Sequence, residues 1–562
     1  MVSTMEAMAL GTSKNTVYLS SLDPGIGKTS AVTIFIQQLI ASPSHKSVSV
    51  MVCAKRLDEV KRLVNDLQVD SGDIAVFTSD PEINALGRSE VRNARVLITT
   101  HQMVSTRCRN QSFVETTSFH YLGNPREVRV WDEEMLPGDM ITLDTDQLRA
   151  LPILFRSSFP SFSDFVGQLA DDLFSQVKGD EFEIPDVQLE TGVDLSAALG
   201  MLPCGQEERH RATVEALYAM AGKAVRLSAG NGRVVTALDI RDALPKDFAP
   251  ILVLDASGRV RYTYEAWEKG PGGLTRLKDA PKSYENLNIS VLERGGGKSA
   301  WNNNGDKYVS AMAGLINAKP EEEWLVVYHL SALNGKLPRE LKSRIEVNPS
   351  RVKMVNWGAH QGRNDFASIS NVILAGTLFY PVHIYEGLAY MTSGIPTSHR
   401  LPERLLTNIR LGEHMNLILQ GLCRGSVRRS IGGSCKPCEA YLIAWKGSRI
   451  RKCLPKVFPG CKIKTWKALR TPSRGKVAKA ITILRAFHQE APEASLLFSD
   501  MMGQLGITDR ANFNRTIRKH PAFIEAMADC GAFEDCVAGG RHKDAFSFTF
   551  APDPEATYFR DI

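Results

Sequence analysis

Short apolar runs and amphipathic segments alternate along the first 135 residues. The runs 16–19, 47–53, 74–78, 95–101 and 128–131 are rich in β-branched and aromatic residues and too short for helices. Between them, 31–40 and 56–67 repeat apolar residues at helical spacing, the second through Leu57, Val60, Leu63, Val64 and Leu67. Strands that alternate with helices predict a parallel sheet whose ligand site lies at the C-terminal ends of the strands. From 137 to 248 the pattern changes: 163–177 and 211–221 carry apolar stripes, and 225–240 reads as a hairpin turning at Gly230-Asn231-Gly232. A buried-type strand returns at 250–254. A second α/β alternation follows, with strands at 287–292, 324–329, 352–357 and 372–374 and helices at 308–318 and 337–345. After 476 come amphipathic helices at 477–488 and 495–505, a helix at 510–519 around Phe513 and Ile517, and a hairpin at 533–550 across Gly539-Gly540.

Composition narrows the class without deciding the function. The 562 residues are 43% hydrophobic and 23% charged, as in ordinary globular proteins, and no apolar run approaches the ~18 residues of a spanning helix. The first thirteen residues lack the basic and apolar regions of a signal peptide. Ten scattered cysteines form no disulfide framework, so the cytoplasm is the expected compartment, with no membrane partner. The net charge of +6 is unevenly placed. Residues 446–479 hold twelve Lys or Arg and no Asp or Glu, which leaves 56 basic against 62 acidic residues, a net −6, elsewhere. Such a patch, containing Arg451, Lys452, Phe458 and Trp466, suits a polyanion with bases to stack; a solvated loop is the bland alternative.

The chemistry concentrates after the first strand, in Leu22-Asp23-Pro24-Gly25-Ile26-Gly27-Lys28-Thr29-Ser30. A strand, a glycine loop and a helix beginning Gly-Lys-Thr form a phosphate cradle: backbone amides and the helix N-terminus hold anionic oxygens, Lys28 reaches the β/γ oxygens, and Thr29 offers a hydroxyl to Mg²⁺. Leu22 stands where Gly or Ala is usual. A Gly-rich turn before an ordinary helix is the alternative on this stretch alone. About a hundred residues later, Val128-Arg129-Val130-Trp131-Asp132-Glu133-Glu134 closes an apolar strand with carboxylates, Asp132 suited to Mg²⁺ and Glu133 to polarising an attacking water.

Together these stretches resemble motifs I and II of the superfamily-two, DEAD/DEAH-box-like helicases. The resemblance implies further roles. Thr99, Thr100 and His101 would contact the nucleic-acid backbone, and Asp255-Ala256-Ser257 is similar to motif III. The turn at 357–366, with Asn364, is similar to motif V, which touches both nucleic acid and nucleotide. Gln420-Gly421-Leu422-Cys423-Arg424-Gly425-Ser426-Val427-Arg428-Arg429 resembles motif VI, with Cys423 where Gly is usual and the second arginine one residue late. Gln420 would serve the nucleotide, and one of Arg424, Arg428 and Arg429 would act as the arginine finger. Cys435, Cys438, Cys453 and Cys461 have spacings compatible with zinc, but a strand expected at 439–445 would draw Cys438 into the sheet, which weighs against it.

The expected architecture is α/β: two RecA-like P-loop lobes, a helical insertion and a C-terminal helical domain with the element order of a winged helix. Residues 1–136 with 249–258 form the first lobe, 137–248 a mainly helical accessory lobe, 259–445 the second lobe, 446–476 a basic linker and 477–562 the C-terminal domain. Arg515 and Arg518 of helix 510–519, with Arg541, His542 and Lys543 in the wing, would then meet a duplex; a helical protein-docking domain is the alternative. The function expected is an ATP-dependent, Mg²⁺-using helicase or translocase acting on DNA, with RNA the alternative polymer. A protein partner would dock through the insertion or the C-terminal domain. The rival is a nucleotide-switched DNA-binding regulator or loading factor without unwinding activity.

Overall fold

The computed structural model describes residues 1–202, 207–229, 234–358, 365–466, 474–491, 494–537 and 543–548. The chain divides into two compact units, Met1–Lys282 with Phe379–Asn416, and Ser283–Leu378 with Leu417–Ile562.

The first unit is built on a seven-stranded sheet in the order Leu274–Arg276, Val17–Ser20, Ile251–Leu254, Val128–Asp132, Val50–Ala54, Val96–Thr100, Ile74–Phe77. Every pairing in it is parallel. Its central strands are continuous apolar runs because helices cover both faces, so side chains pointing either way are buried. The helix Lys28–Ala41 buries Val32, Ile36 and Leu39 on one face of this sheet, and Leu57–Leu67 buries Val60, Leu63 and Leu67 beside it.

The insertion differs from its mainly helical expectation. Gly138–Asp144, Val235–Asp242, Lys223–Ala229 and Glu181–Ile184 form a four-stranded antiparallel sheet in that order. Helices Pro160–Ser175 and Glu207–Met220 share a separate core with it through Phe162, Leu169, Leu173, Val214 and Leu217. The first of these strands in the chain after Asp144, Glu181-Phe182-Glu183-Ile184, carries a period-two alternation of acidic and apolar residues. The helix Val382–Ser393 packs on the same sheet, and Gly387 lets the two approach: a Cβ there would lie 2.1 Å from the sulfur of Met140. Residues 259–282 and 379–416, expected in the second lobe, therefore belong to the first unit.

The second unit carries a six-stranded parallel sheet ordered Val352–Asn356, Trp324–Tyr328, Asn371–Ala375, Cys438–Ala444, Leu287–Glu293, Lys462–Thr465. Its last strand comes from the stretch expected to be a linker. Helix Ile450–Val457 precedes that strand, and the two rings expected to stack on bases are instead core: Phe458 is fully buried edge-on to Tyr284, and Trp466 lies edge-on to Tyr441. In the C-terminal part, helices Gly475–Glu490, Phe498–Leu505 and Pro521–Asp529 surround a three-stranded antiparallel sheet ordered Leu496–Leu497, Ala545–Phe548, Ala532–Asp535. Gly539, Gly540, Arg541 and His542 lie outside the described residues.

Candidate functional site

The glycine loop leaves strand Val17–Ser20 and enters helix Lys28–Ala41 through Gly25 and Gly27, at φ 80° and 90°. A Cβ at Gly27 would meet no atom within 4 Å, so conformation, not space, calls for glycine there. No side chain caps the helix, which leaves first-turn amides open to an anion. Lys28 Nζ donates to the carbonyl oxygens of Leu22 at 2.5 Å and Asp23 at 3.3 Å. The usual small residue at position 22 is not needed for that bond, since the backbone makes it. Gly25, Gly27 and Ser30 are exposed, and Ile26 and Thr29 half-buried, along the rim of the loop.

Asp23 has a different place from the one expected. Its carboxylate is fully buried and accepts from Arg259 Nε at 3.0 Å and Nη2 at 2.8 Å, and from the Lys282 amide at 2.9 Å. Lys282 Nζ donates to the Pro24 carbonyl at 3.0 Å. The side chain of Asp23 therefore anchors the loop and is not directed to a ligand. Its clamp comes from the turn that follows strand Ile251–Leu254, where Asp255 accepts from the Ser257 amide and hydroxyl at 2.8 and 2.7 Å and from the Tyr264 hydroxyl at 2.8 Å.

Strand Val128–Asp132 lies two places from the loop strand, with Ile251–Leu254 between them. Burial and the Glu133 charge push the Asp132 carboxyl up to about 6, against the pull of Lys28 and Arg62. Asp132 thus lies within electrostatic reach of the loop lysine, with burial the larger cause of its shift. Glu133 adopts φ 76°, unusual for a non-glycine residue, and reaches Lys55 at 3.8 Å. Among the described residues no three His, Cys, Asp or Glu side chains form a metal cage. A Mg²⁺ of this kind needs none, because it keeps waters and phosphate oxygens as ligands. A hydroxyl at Thr29 and a carboxylate at Asp132 are oxygen donors of the type such an ion takes.

Glu134 turns away into a buried network that the sequence reading missed. Arg261 reaches Glu134 at 2.5 Å, Glu413 at 2.7 and 2.9 Å and Asp255 at 3.9 Å. Burial raises the Glu134 carboxyl, but Arg261 overcomes it and holds the group below its ordinary value. For Glu413 burial outweighs Arg261, and the carboxyl lies above its ordinary value. The Glu133-Glu134 pair in the sequence was the available signal; the partners lie more than 120 residues away and gave none.

The residues assigned to nucleic acid divide. Thr99 is fully buried and donates to the Phe77 carbonyl at 2.6 Å, and Thr100 caps helix His101–Arg107 through the Met103 amide. His101 stacks on Trp131 with ring centroids 3.9 Å apart, and burial lowers it to about 4. All three are occupied within the first unit. Arg518 grips Glu534 at 2.8 and 2.5 Å over the Phe498 ring, and Arg451 bonds the Thr465 hydroxyl at 3.1 Å. Lys452 and Arg515 are exposed. Asn364 lies outside the described residues.

In the second unit, Gln420 accepts from Arg424 Nη2 at 3.1 Å near the end of helix Glu403–Leu422. Arg424 is buried, Arg428 half-buried and Arg429 exposed. Cys423, in the place of the usual glycine, is buried. Burial pushes the Cys438 thiol up to about 12 and the Cys461 thiol up to about 11.

No family model matches the chain, and no curated protein matches its sequence. Solved structures do match. Xpd4 of S. tokodaii is 13% identical with TM-score 0.50, covering 82% of this chain and 98% of that one. A structure named XPD_APO is 14% identical with TM-score 0.46, covering 83% and 99%. A DEAD box protein from the hyperthermophile Methanococcus jannaschii is 12% identical with TM-score 0.30, covering 83% and 91%. At such identities the likeness is one of fold. The chain shares with Xpd4 a mixed α/β architecture with parallel sheets.

Proposed function

We propose that this chain is an ATP-dependent, nucleic-acid-stimulated helicase or translocase acting on DNA. The observation that carries the reading is the first unit's juxtaposition of an open glycine loop, Lys28 bonded to that loop, and Asp132 within the electrostatic reach of Lys28. The fold shared with Xpd4 supports it.

In this reading the loop amides and Lys28 take the β- and γ-phosphates. Lys28 exchanges two carbonyl partners for anionic oxygens, a stronger charge-assisted bond. Thr29 and Asp132 would hold Mg²⁺, whose charge offsets that building on the phosphate oxygens. Glu133, held at the strand end in a conformation few residues adopt, is the group that orients the attacking water. Arg424, Arg428 and Arg429 are the candidates for the arginine that acts on the phosphate, with Gln420 bonded to the first of them. Exposed Lys452 and Arg515 are the strongest remaining candidates for phosphate contacts of the polymer. The three-stranded sheet and helices of the C-terminal part support a winged-helix reading of that domain. Among the described residues every cysteine is free and no helix is long and apolar enough to cross a membrane.

Steady-state hydrolysis with and without single-stranded DNA or RNA tests the reading, with turnover rising at least several-fold on DNA. Lys28→Ala is expected to abolish turnover by removing nucleotide binding. Glu133→Gln is expected to keep binding and lose at least ~100-fold in rate, the scale of a lost general base. Polymer-independent turnover would count against a motor. Nucleotide-dependent DNA binding without strand displacement would favour the regulator.

A further inference from the structure

Glu59 has no role in the reading so far, and its surroundings are unusual. It occupies the first turn of helix Leu57–Leu67, where an acidic residue ordinarily faces water and complements the helix N-terminus. Here the side chain is only 5% exposed, and its Oε2 is buried with no hydrogen-bond partner. A buried carboxylate oxygen without a donor is costly, and proteins rarely keep one unless an ion or ligand completes it.

Topology fixes what it faces. The helix follows strand Val50–Ala54, the parallel neighbour of the acid strand, with Cys53 opposite Trp131. The connection therefore emerges beside Asp132 and Glu133, and Lys55 within it reaches Glu133 at 3.8 Å. The charges of Asp132 and Glu133 both act on Glu59. Arg62, one turn further along, acts on Glu59 and on Asp132, yet no ion pair joins it to either. Glu59 thus lies buried, with Oε2 unpartnered, within electrostatic reach of Asp132 and Glu133, and a divalent cation held there with its waters is a group that would satisfy it.

Resting on the nucleotide reading above, we propose that Glu59 is a positioning residue for the metal ion of the nucleotide site, accepting hydrogen bonds from the water that the ion retains. Thr29 and Asp132 supply the direct ligands. Mg²⁺ and Mn²⁺ keep several waters in such sites, and an outer acceptor that orients them typically changes metal affinity 10–100-fold.

The test uses the full chain with ADP and Mn²⁺, free Mn²⁺ being read by its electron paramagnetic resonance signal. Glu59→Gln is expected to weaken Mn²⁺ binding 10–100-fold while leaving metal-free ADP affinity within about 2-fold, and Glu59→Asp to fall between. A second readout separates positioning from structure: without nucleotide or metal, Glu59→Gln should raise the thermal midpoint at pH 8, because it removes an uncompensated buried charge. Equal Mn²⁺ affinity in wild type and Glu59→Gln overturns the inference and leaves the nucleotide reading intact. A lowered midpoint with unchanged Mn²⁺ affinity overturns it in favour of a packing role. Wild type that binds no ADP removes the nucleotide reading itself, a different failure.

Discussion

At the residue scale, His101 illustrates how burial alters chemistry. Its ring lies flat on Trp131, Nε2 is 3.2 Å from the Cys53 carbonyl, and burial holds its folded value near 4 against an ordinary 6.5. The neutral form is therefore the one that folds. Because the folded value lies below the unfolded one, stability is complete above about pH 6.5 and drains away as pH falls toward 4, by up to about 3 kcal/mol. His101→Phe keeps the stack and loses one hydrogen bond, about 1 kcal/mol at pH 7.5. The variant is expected to be slightly less stable than wild type at pH 7.5 and more stable at pH 4.5. Thermal midpoints across that range check it, and parallel curves would assign the acid sensitivity elsewhere. Read from sequence alone, His101 was a strand-end residue for a polymer to touch; its flat partner Trp131 lies thirty residues away, and no local pattern announces such a stack.

At the element scale, the central strands of the two parallel sheets were legible because parallel strands buried on two faces must be continuous apolar runs, whereas the edge strands Leu274–Arg276 and Lys462–Thr465 were not. The glycine loop was legible because its chemistry is local. What holds the loop was not: Asp23 meets Arg259 across 236 residues, and neither position carries a pattern. The same holds for the φ of 76° at Glu133, where the carboxylate proposed to orient water occupies backbone space that glycine would fill more easily. The clamp predicts that Asp23→Ala acts on the loop and not on a ligand contact. Arg259, nine-tenths buried, would lose the carboxylate it grips twice, at a cost on the order of 3–5 kcal/mol. Nucleotide affinity should fall with the midpoint. Asp23→Asn, which keeps one acceptor oxygen, for Arg259 or for the Lys282 amide but not for both, should recover part of both. Binding of a fluorescent ADP analogue beside thermal unfolding separates this from direct contact, which would cost affinity without stability.

At the scale of the whole molecule, the stretch 446–466 is basic and structural at once. Lys462-Ile463-Lys464-Thr465 alternates a charged with an uncharged side chain, as an edge strand does when one side faces water, and lysines on such an edge discourage pairing with another chain. In a sequence the same lysines look like a polyanion patch. The strand pairs in parallel with Leu287–Glu293, and its flanks bring Phe458 and Trp466 into the second unit's interior. Truncation distinguishes a linker from a structural edge. A chain ending at residue 474 keeps the strand and both rings, so its second unit should unfold near the wild-type midpoint. A chain ending at 445 loses two buried aromatics, each worth about 3–5 kcal/mol, and exposes the backbone of Leu287–Glu293 as an unpaired edge. It should be less stable, with a midpoint lower by ten degrees or more, and should aggregate. Equal solubility and midpoints for the two chains would return 446–466 to the role of a tether, and DNA binding lost equally from both would locate the polymer contacts beyond 474.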